Sequence, residues 1–236
     1  DRQHHRAASR VPSELTTSGP NTEPECATEK EAYARRLQSL EAVWWKRLLD
    51  VQRPYRRHLQ SLSLGFVLDI GCGLGRNLQH LNGNGVGVDH NATSVATARS
   101  RGLQAFLPDE FRASPFAQPG RFDALLLSHV AEHMPFADAQ ALLAEHLEYL
   151  RPGGRVVLIT PQERGFRSDP THVEFFDLDA LARLAHSVGL SIERRYSFPF
   201  SRWAGRIFKY NEFVLLAQKP GPVPAARPDA GQRVAR

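Results

Sequence analysis

The stretch that decides the fold is VLDIGCGLGRN, residues 67–77: an apolar run, an aspartate, then Gly71, Gly73 and Gly75 alternating with Cys72 and Leu74. A glycine turn that follows a strand and opens a helix lets the backbone approach a ligand closely, and the helix N-terminus favours anions. By itself the turn names no ligand. A dinucleotide fingerprint spaces its glycines G-x-G-x-x-G, whereas here they stand at every second position, with Asp69 two residues before the first. An acid at the mouth of the turn repels a pyrophosphate but receives an ammonium, directly or through water.

The next apolar run, VGVD (86–89), ends in Asp89, 18 residues beyond Gly71, where a carboxylate can accept both hydroxyls of a ribose. Charge-assisted bonds of that kind contribute about 1.5–3 kcal/mol. A ligand that joins a ribose to an amino acid and carries no phosphate is S-adenosylmethionine (SAM).

Working outward, FVLDI (66–70), VGVD, LQAFL (103–107), FDALLLS (122–128) and RVVLIT (155–160) are short continuous apolar runs. Such runs suit strands buried on both faces, as in a parallel sheet. Helical periods lie between them. Leu143, Leu147 and Leu150 recur at i, i+4 and i+7 before the stop signal Arg151-Pro152-Gly153-Gly154. Leu178, Leu181, Ala185 and Val188 share a face, with Gly189 as the C-terminal cap. This alternation predicts a doubly wound α/β sheet with right-handed crossovers. After Gly189, LSIERRYSFPF and NEFVLLAQK read as two strands without a convincing helix between them, a hairpin added at one sheet edge.

The chain has 236 residues, 42% of them hydrophobic and 23% charged, enough for one substantial core. No apolar stretch approaches the roughly 18 residues of a membrane-spanning helix, and no signal-peptide pattern opens the chain. It begins with Asp1 and its sole methionine is Met134, so a trimmed or truncated product is expected. Cys26 and Cys72 make no disulfide framework, which fits a reducing, cytoplasmic setting. The formal charge of +5 and pI near 9.6 arise from scattered residues, one cluster (Lys46, Arg47, Arg53, Arg56, Arg57) and an arginine-bearing C-terminal end. Residues 1–27 and 219–236 have hardly any large apolar groups and are expected to be disordered tails around a domain of residues 28–218.

Four segments in this order resemble the motifs of class I SAM-dependent methyltransferases: VLDIGCGLGRN, VGVDH, FDALLLSHVAEHM and LRPGGRVVLITP. The resemblance implies a mostly parallel, seven-stranded Rossmann-like sheet with an antiparallel terminal hairpin, and SAM as cofactor. It also implies cofactor-binding roles for Asp69, Gly71, Cys72, Gly73 and Ser128, with Asp89 on the ribose and His90 near the adenine. The adenine's amino edge would meet an acid in PDEFRASPF, Asp109 or Glu110; counting back from Ser114-Pro115-Phe116 favours Glu110, with the Phe111 amide beside it.

The acceptor is less legible. His129-Val130-Ala131-Glu132-His133 matches the H-x-x-E-H pattern of inverted zinc peptidases, which place it in a helix. Ubiquinone-pathway O-methyltransferases, which the segment also resembles, have Glu-x-x-Glu-His there, associated with a divalent ion. His129 replaces their first Glu, so no metal site is expected. Nucleic-acid amino methyltransferases place Asn-Pro-Pro-Tyr or Asp-Pro-Pro-Tyr after the fourth strand, unlike Ser128-His129-Val130, which argues against nucleic acid as acceptor. O-methylation calls for a base near neutral pH, and the candidate catalytic residues are His133 and His172. Glu163 and Arg164 are further pocket candidates. Two segments that mix aromatics with arginines would roof the acceptor: the N-terminal helix with Trp44, Trp45, Arg53 and Tyr55, and SFPFSRWAGRIFKYNEF. They suit a small-molecule, glycan or lipid-linked acceptor. The alternatives are a methyltransferase-like domain that binds SAM or a partner without catalysis and, against the motif after the fourth strand, a nucleic-acid methyltransferase acting through the basic N-terminal helix.

Overall fold

The computed structural model describes residues 52–221. The expected tail 1–27, Trp44, Trp45 and most of the C-terminal tail lie outside the described residues.

Within these residues a seven-stranded sheet runs in the order β3-β2-β1-β4-β5-β7-β6. The strands are β1 Val67–Ile70, β2 Gly85–Val88, β3 Ala105–Phe106, β4 Phe122–Ser128, β5 Leu150–Pro161, β6 Ser191–Phe198 and β7 Glu212–Gln218. The first five are parallel, while β7 pairs antiparallel with both β5 and β6. The terminal hairpin is therefore present, with its second strand inserted between β5 and the edge. Seven helices cross or flank the sheet: α1 Arg53–Ser61, α2 Arg76–His80, α3 Ala92–Ser100, α4 Pro108–Arg112, α5 Phe136–His146, α6 Glu163–Phe166 and α7 Leu178–Ser187.

The apolar runs form strands because each alternate residue finds a different core. Leu68, Leu125, Leu127, Val156 and Leu158 pack on one face with Phe111, Leu143, Phe176 and Leu181. Val67, Ala124, Leu126, Val157 and Ile159 pack on the other with Leu59 of α1. A strand with two buried faces needs no polar alternation. A third cluster joins Cys72 to Val95 and Ala98 of α3.

Two local expectations are corrected. LQAFL yields a strand of only two residues, because Gly102 (φ +77°) ends the preceding turn and Pro108 already starts α4. Arg151-Pro152-Gly153-Gly154 does not end a helix. Helix α5 stops at His146, a 3₁₀ turn covers Leu147–Tyr149, and Leu150 opens β5. The Pro-Gly-Gly segment belongs to the strand, where Gly153 N donates to Lys219 O (2.9 Å) and Lys219 N to Gly154 O (2.8 Å). The folded region thus reaches Lys219, whose ammonium also donates to the carbonyls of Leu147 and Leu150. By contrast α7 ends as expected: Gly189 has φ +78°, with Leu190 N on Ala185 O and Gly189 N on His186 O, a Schellman cap.

Candidate active site at the carboxyl ends of the strands

The glycine turn leaves β1 and is pinned to β2 by two amides, Gly71 N and Cys72 N, both donating to Val88 O (2.8 and 3.1 Å). Gly71 has φ +72°, and a Cβ there would stand 2.5 Å from Val130 Cγ2. Its smallness admits the loop after β4. Gly73 differs: at φ +51° a Cβ would meet nothing within 4 Å, so this is where the turn opens outward. The Cys72 side chain is buried in the α3 core, with Gly87 making room for its sulfur, and burial pushes the thiol's pKa up. Only the Cys72 backbone can face a ligand.

Asp69 is fully buried. Its Oδ1 accepts from Asn77 Nδ2 (3.3 Å), while Oδ2 is buried without a hydrogen-bond partner. Burial raises its pKa to about 7, against the Asn77 bond and with help from the charge of Asp89. A buried carboxylate oxygen left unpaired is costly unless a ligand meets it. The amino group of SAM fits that need, and on this observation the residues present suit the cofactor.

Asp89 lies at the end of β2, 9% exposed, its Oδ2 accepting from Gly73 N (2.8 Å) and its Oδ1 from Asn91 N (2.8 Å). Each oxygen keeps a second lone pair, so the carboxylate can still accept two hydroxyls. His90 is exposed beside it, its Nδ1 3.7 Å from Asp89 Oδ1. Glu110 is engaged elsewhere: its Oε2 accepts from Leu107 N (2.9 Å) at the start of α4 and from Arg99 (2.5 Å). The Phe111 amide donates to Leu107 O and its ring is buried in the main core. Asp109 pairs with Arg112 on the surface.

Tyr55 of α1 closes over the far side of the turn. Its hydroxyl lies 2.8 Å from Ser128 Oγ and donates to Asn77 Oδ1 (3.2 Å), so one chain of bonds runs from β4 through Tyr55 and Asn77 to Asp69. Burial, and then the charge of Glu212, push the Tyr55 pKa well up, so it stays a neutral phenol.

After β4 the chain turns sharply at His129, a non-glycine residue at φ +59°. The turn aims the ring between two acids, with Nδ1 3.1 Å from Glu132 Oε1 and Nε2 2.8 Å from Glu212 Oε1. Burial works against charge on this ring, but the two carboxylate bonds outweigh it and raise the pKa to about 10. His129 is thus an imidazolium with both nitrogens occupied, which excludes it as a base. Its separation from the 3₁₀ turn Ala131–His133 also removes the single helical face that a zinc peptidase requires.

His133 and His172 are brought together, ring centroids 4.8 Å apart. His172 Nδ1 lies 2.7 Å from Phe166 O, and His133 Nδ1 lies 3.3 Å from Thr171 O. Carbonyls only accept, so each Nδ1 is placed to donate, with the Thr171 hydroxyl also 3.2 Å from His133 Nδ1, and in the neutral ring Nε2 is then the acceptor. Glu132, His133 and His172 offer ligand atoms all within 4.8 Å of one another, and Glu132 Oε2 is buried without a partner. These three could hold a metal ion, a grouping the sequence reading did not expect. Glu163 forms a bidentate pair with Arg202, whereas Arg164 is exposed. Glu212 went unremarked in the sequence, where it is one acid before an apolar strand; only the sheet order reveals its partner.

Residues 44–194 match a family model described as a methyltransferase domain. A ubiquinone biosynthesis O-methyltransferase of Rhodopseudomonas palustris is 32% identical over 117 residues, which are 46% of each chain. The chain thus spans about half the length of that curated relative. Among solved structures, a TehB-like SAM-dependent methyltransferase from Corynebacterium glutamicum aligns with TM-score 0.57 at 20% identity, over 82% of this chain and 99% of that one. A SAM-dependent methyltransferase from Archaeoglobus fulgidus aligns with TM-score 0.54 at 17% identity, over 75% and 98%. With the family model covering more than half of the sequence, on a sheet of this order and a glycine turn of this build, the chain belongs to the methyltransferase-domain family, in its class I, SAM-dependent form.

Proposed function

We propose that this protein transfers the methyl group of SAM to a hydroxyl of a small-molecule, sugar or lipid-type acceptor. The observation that carries the reading is the pair His133 and His172, whose ring centroids lie 4.8 Å apart, each with its Nδ1 on a backbone carbonyl. The name of the curated relatives supports oxygen as the atom methylated.

SAM supplies an electrophilic methyl group on a sulfonium. Asp69 would hold the ammonium and Asp89 the ribose hydroxyls. One of the two histidines takes the proton from the acceptor hydroxyl as its oxygen attacks. Alignment of this kind contributes about 7–11 kcal/mol, and the base a further factor of about 10²–10⁴. The imidazolium of His129 is held by its two carboxylates and takes no proton.

The acceptor can be found by tracing labelled methyl groups from SAM into metabolite and cell-envelope fractions. With it in hand, His133→Asn or His172→Asn should lower turnover by about 10²-fold while SAM affinity by calorimetry stays constant. If both variants keep normal turnover across pH, the base reading fails. If no fraction yields S-adenosylhomocysteine, the domain binds its cofactor without catalysis.

A second reading is favoured by the unpartnered Oε2 of Glu132. Glu132, His133 and His172 could hold a divalent cation that binds the acceptor oxygen, the carbonyls on each Nδ1 orienting the rings for it. Removal of divalent ions by a chelator, followed by add-back, separates the readings: turnover unaffected by chelation supports the base, and turnover restored only by metal supports the cation.

A further inference from the structure

The segment between β6 and β7, residues 199–211, exposes Phe200, Trp203, Ile207, Phe208 and Tyr210 to water, with Trp203 65% and Ile207 71% accessible. Scattered apolar side chains on a surface are ordinary, but five large ones in one short connection are not. Nor is the segment loosely attached. Asn211 and Gln162, both fully buried, staple it: Asn211 Nδ2 donates to Gln162 Oε1 (3.0 Å) and to Ser201 O (3.2 Å), and Phe200 N donates to Asn211 Oδ1 (2.9 Å). Gly205 lies so close to Gln162 that a Cβ would overlap it. The backbone is built inward and the aromatics are left outward.

Within the segment itself the charges have one sign. Residues 199–211 contain Arg202, Arg206 and Lys209 and no carboxylate. Arg202 is bound to Glu163, while Arg206 and Lys209 are exposed. Helix α6 packs against the segment, its Gly165 approaching Lys209 O closely enough that a Cβ would stand at 2.6 Å, and Arg164 in that helix and Arg167 just after it are exposed. Tryptophan and tyrosine interleaved with arginine and lysine are the side chains that suit the headgroup layer of a bilayer, and the cations match anionic lipid. We propose that residues 199–211, with α6, dock the protein on an anionic membrane surface.

Asn211 is followed directly by Glu212, whose carboxylate holds His129, so the docking segment adjoins the acceptor side of the site. Seated in this way, the site would open toward the lipid, and the acceptor would be a hydroxyl-bearing molecule with a lipid tail. That last clause rests on the proposed O-methylation; the docking does not.

The test is flotation of the full chain with vesicles of phosphatidylcholine alone and of phosphatidylcholine mixed with the anionic lipid phosphatidylglycerol. The wild type should float with the anionic vesicles only, and the binding should weaken with salt. Trp203→Ser/Ile207→Ser and Arg206→Glu/Lys209→Glu should each weaken vesicle binding at least tenfold, with melting temperature and SAM affinity unchanged. Failure of the wild type to float, or floating that both double variants retain, overturns the proposal. So does concentration-dependent self-association abolished by the variants in the absence of lipid, which would make a second copy the occupant. Since flotation needs no SAM and no turnover, docking can succeed where the proposed chemistry fails, and the reverse.

Discussion

At the scale of single residues, the two aspartates of the candidate cofactor site differ in what surrounds them. Asp89 has both oxygens already accepting from backbone amides and still has lone pairs to offer. Asp89→Ala should weaken SAM binding at least tenfold by calorimetry, and unchanged affinity would remove it from the site. Asp69 has its pKa raised to about 7 by burial, above the ordinary 3.8. A carboxyl with a raised folded-state pKa keeps a proton that the unfolded chain has lost, so the free protein should lose stability as pH rises from about 4 to about 7. Asp69→Asn should flatten the melting temperature over that window, and a profile as steep as wild type would exclude Asp69 as the cause. Both acids were legible in the sequence because they sit at fixed distances from a glycine turn. Glu212 was not, because its partner His129 is 83 residues away and nothing local marks it.

At the scale of elements, the buried strands could be read and the sheet's margins could not. β1, β4 and β5 each bury apolar side chains on both faces, so a run of apolar residues was a sufficient signal. The Pro-Gly-Gly segment was misread because its turn chemistry is local, while its pairing with Lys219 is a tertiary fact. A helical H-x-x-E-H motif is excluded by the same kind of tertiary fact, since His129 stands at φ +59° with its ring between Glu132 and Glu212. Helix α1 holds the site through one hydroxyl. Tyr55→Phe removes the bonds to Ser128 and Asn77 and should cost about 1–2 kcal/mol of stability, read by denaturant unfolding. An unaltered midpoint would mean that the Tyr55 ring alone secures the helix.

At the scale of the whole molecule, the sheet places every candidate group at one rim. Ser128 ends β4, Pro161 ends β5 and Glu212 begins the antiparallel β7. The folded boundary is also set by that strand. Truncation after Gly221 should leave the melting temperature within a few degrees of the full chain, whereas truncation after Gln218 removes the staple of Lys219 on Leu147, Leu150 and Gly154. For a domain of this size about 1 kcal/mol corresponds to about 2–4 °C, so a drop of several degrees is expected in a thermal scan. The seven-stranded topology was legible through resemblance and pattern together, while the exposed aromatics of residues 199–211 needed the coordinates, since a core and a surface aromatic look alike in sequence.

The late insertion of β7 between β5 and β6 bears on how the site is made during synthesis. The parallel strands can pair as they emerge, but the partner of His129 arrives 83 residues later, after β6 has already been made. Contacts so distant along the chain form slowly, because loop closure must precede any reward. Until β7 slots in, β5 keeps an open edge, which is a template for unwanted pairing between nascent chains. The enzyme should therefore acquire its acceptor pocket only when the ribosome has released the last strand, and a stalled chain ending before Glu212 should bind chaperones or aggregate rather than bind SAM.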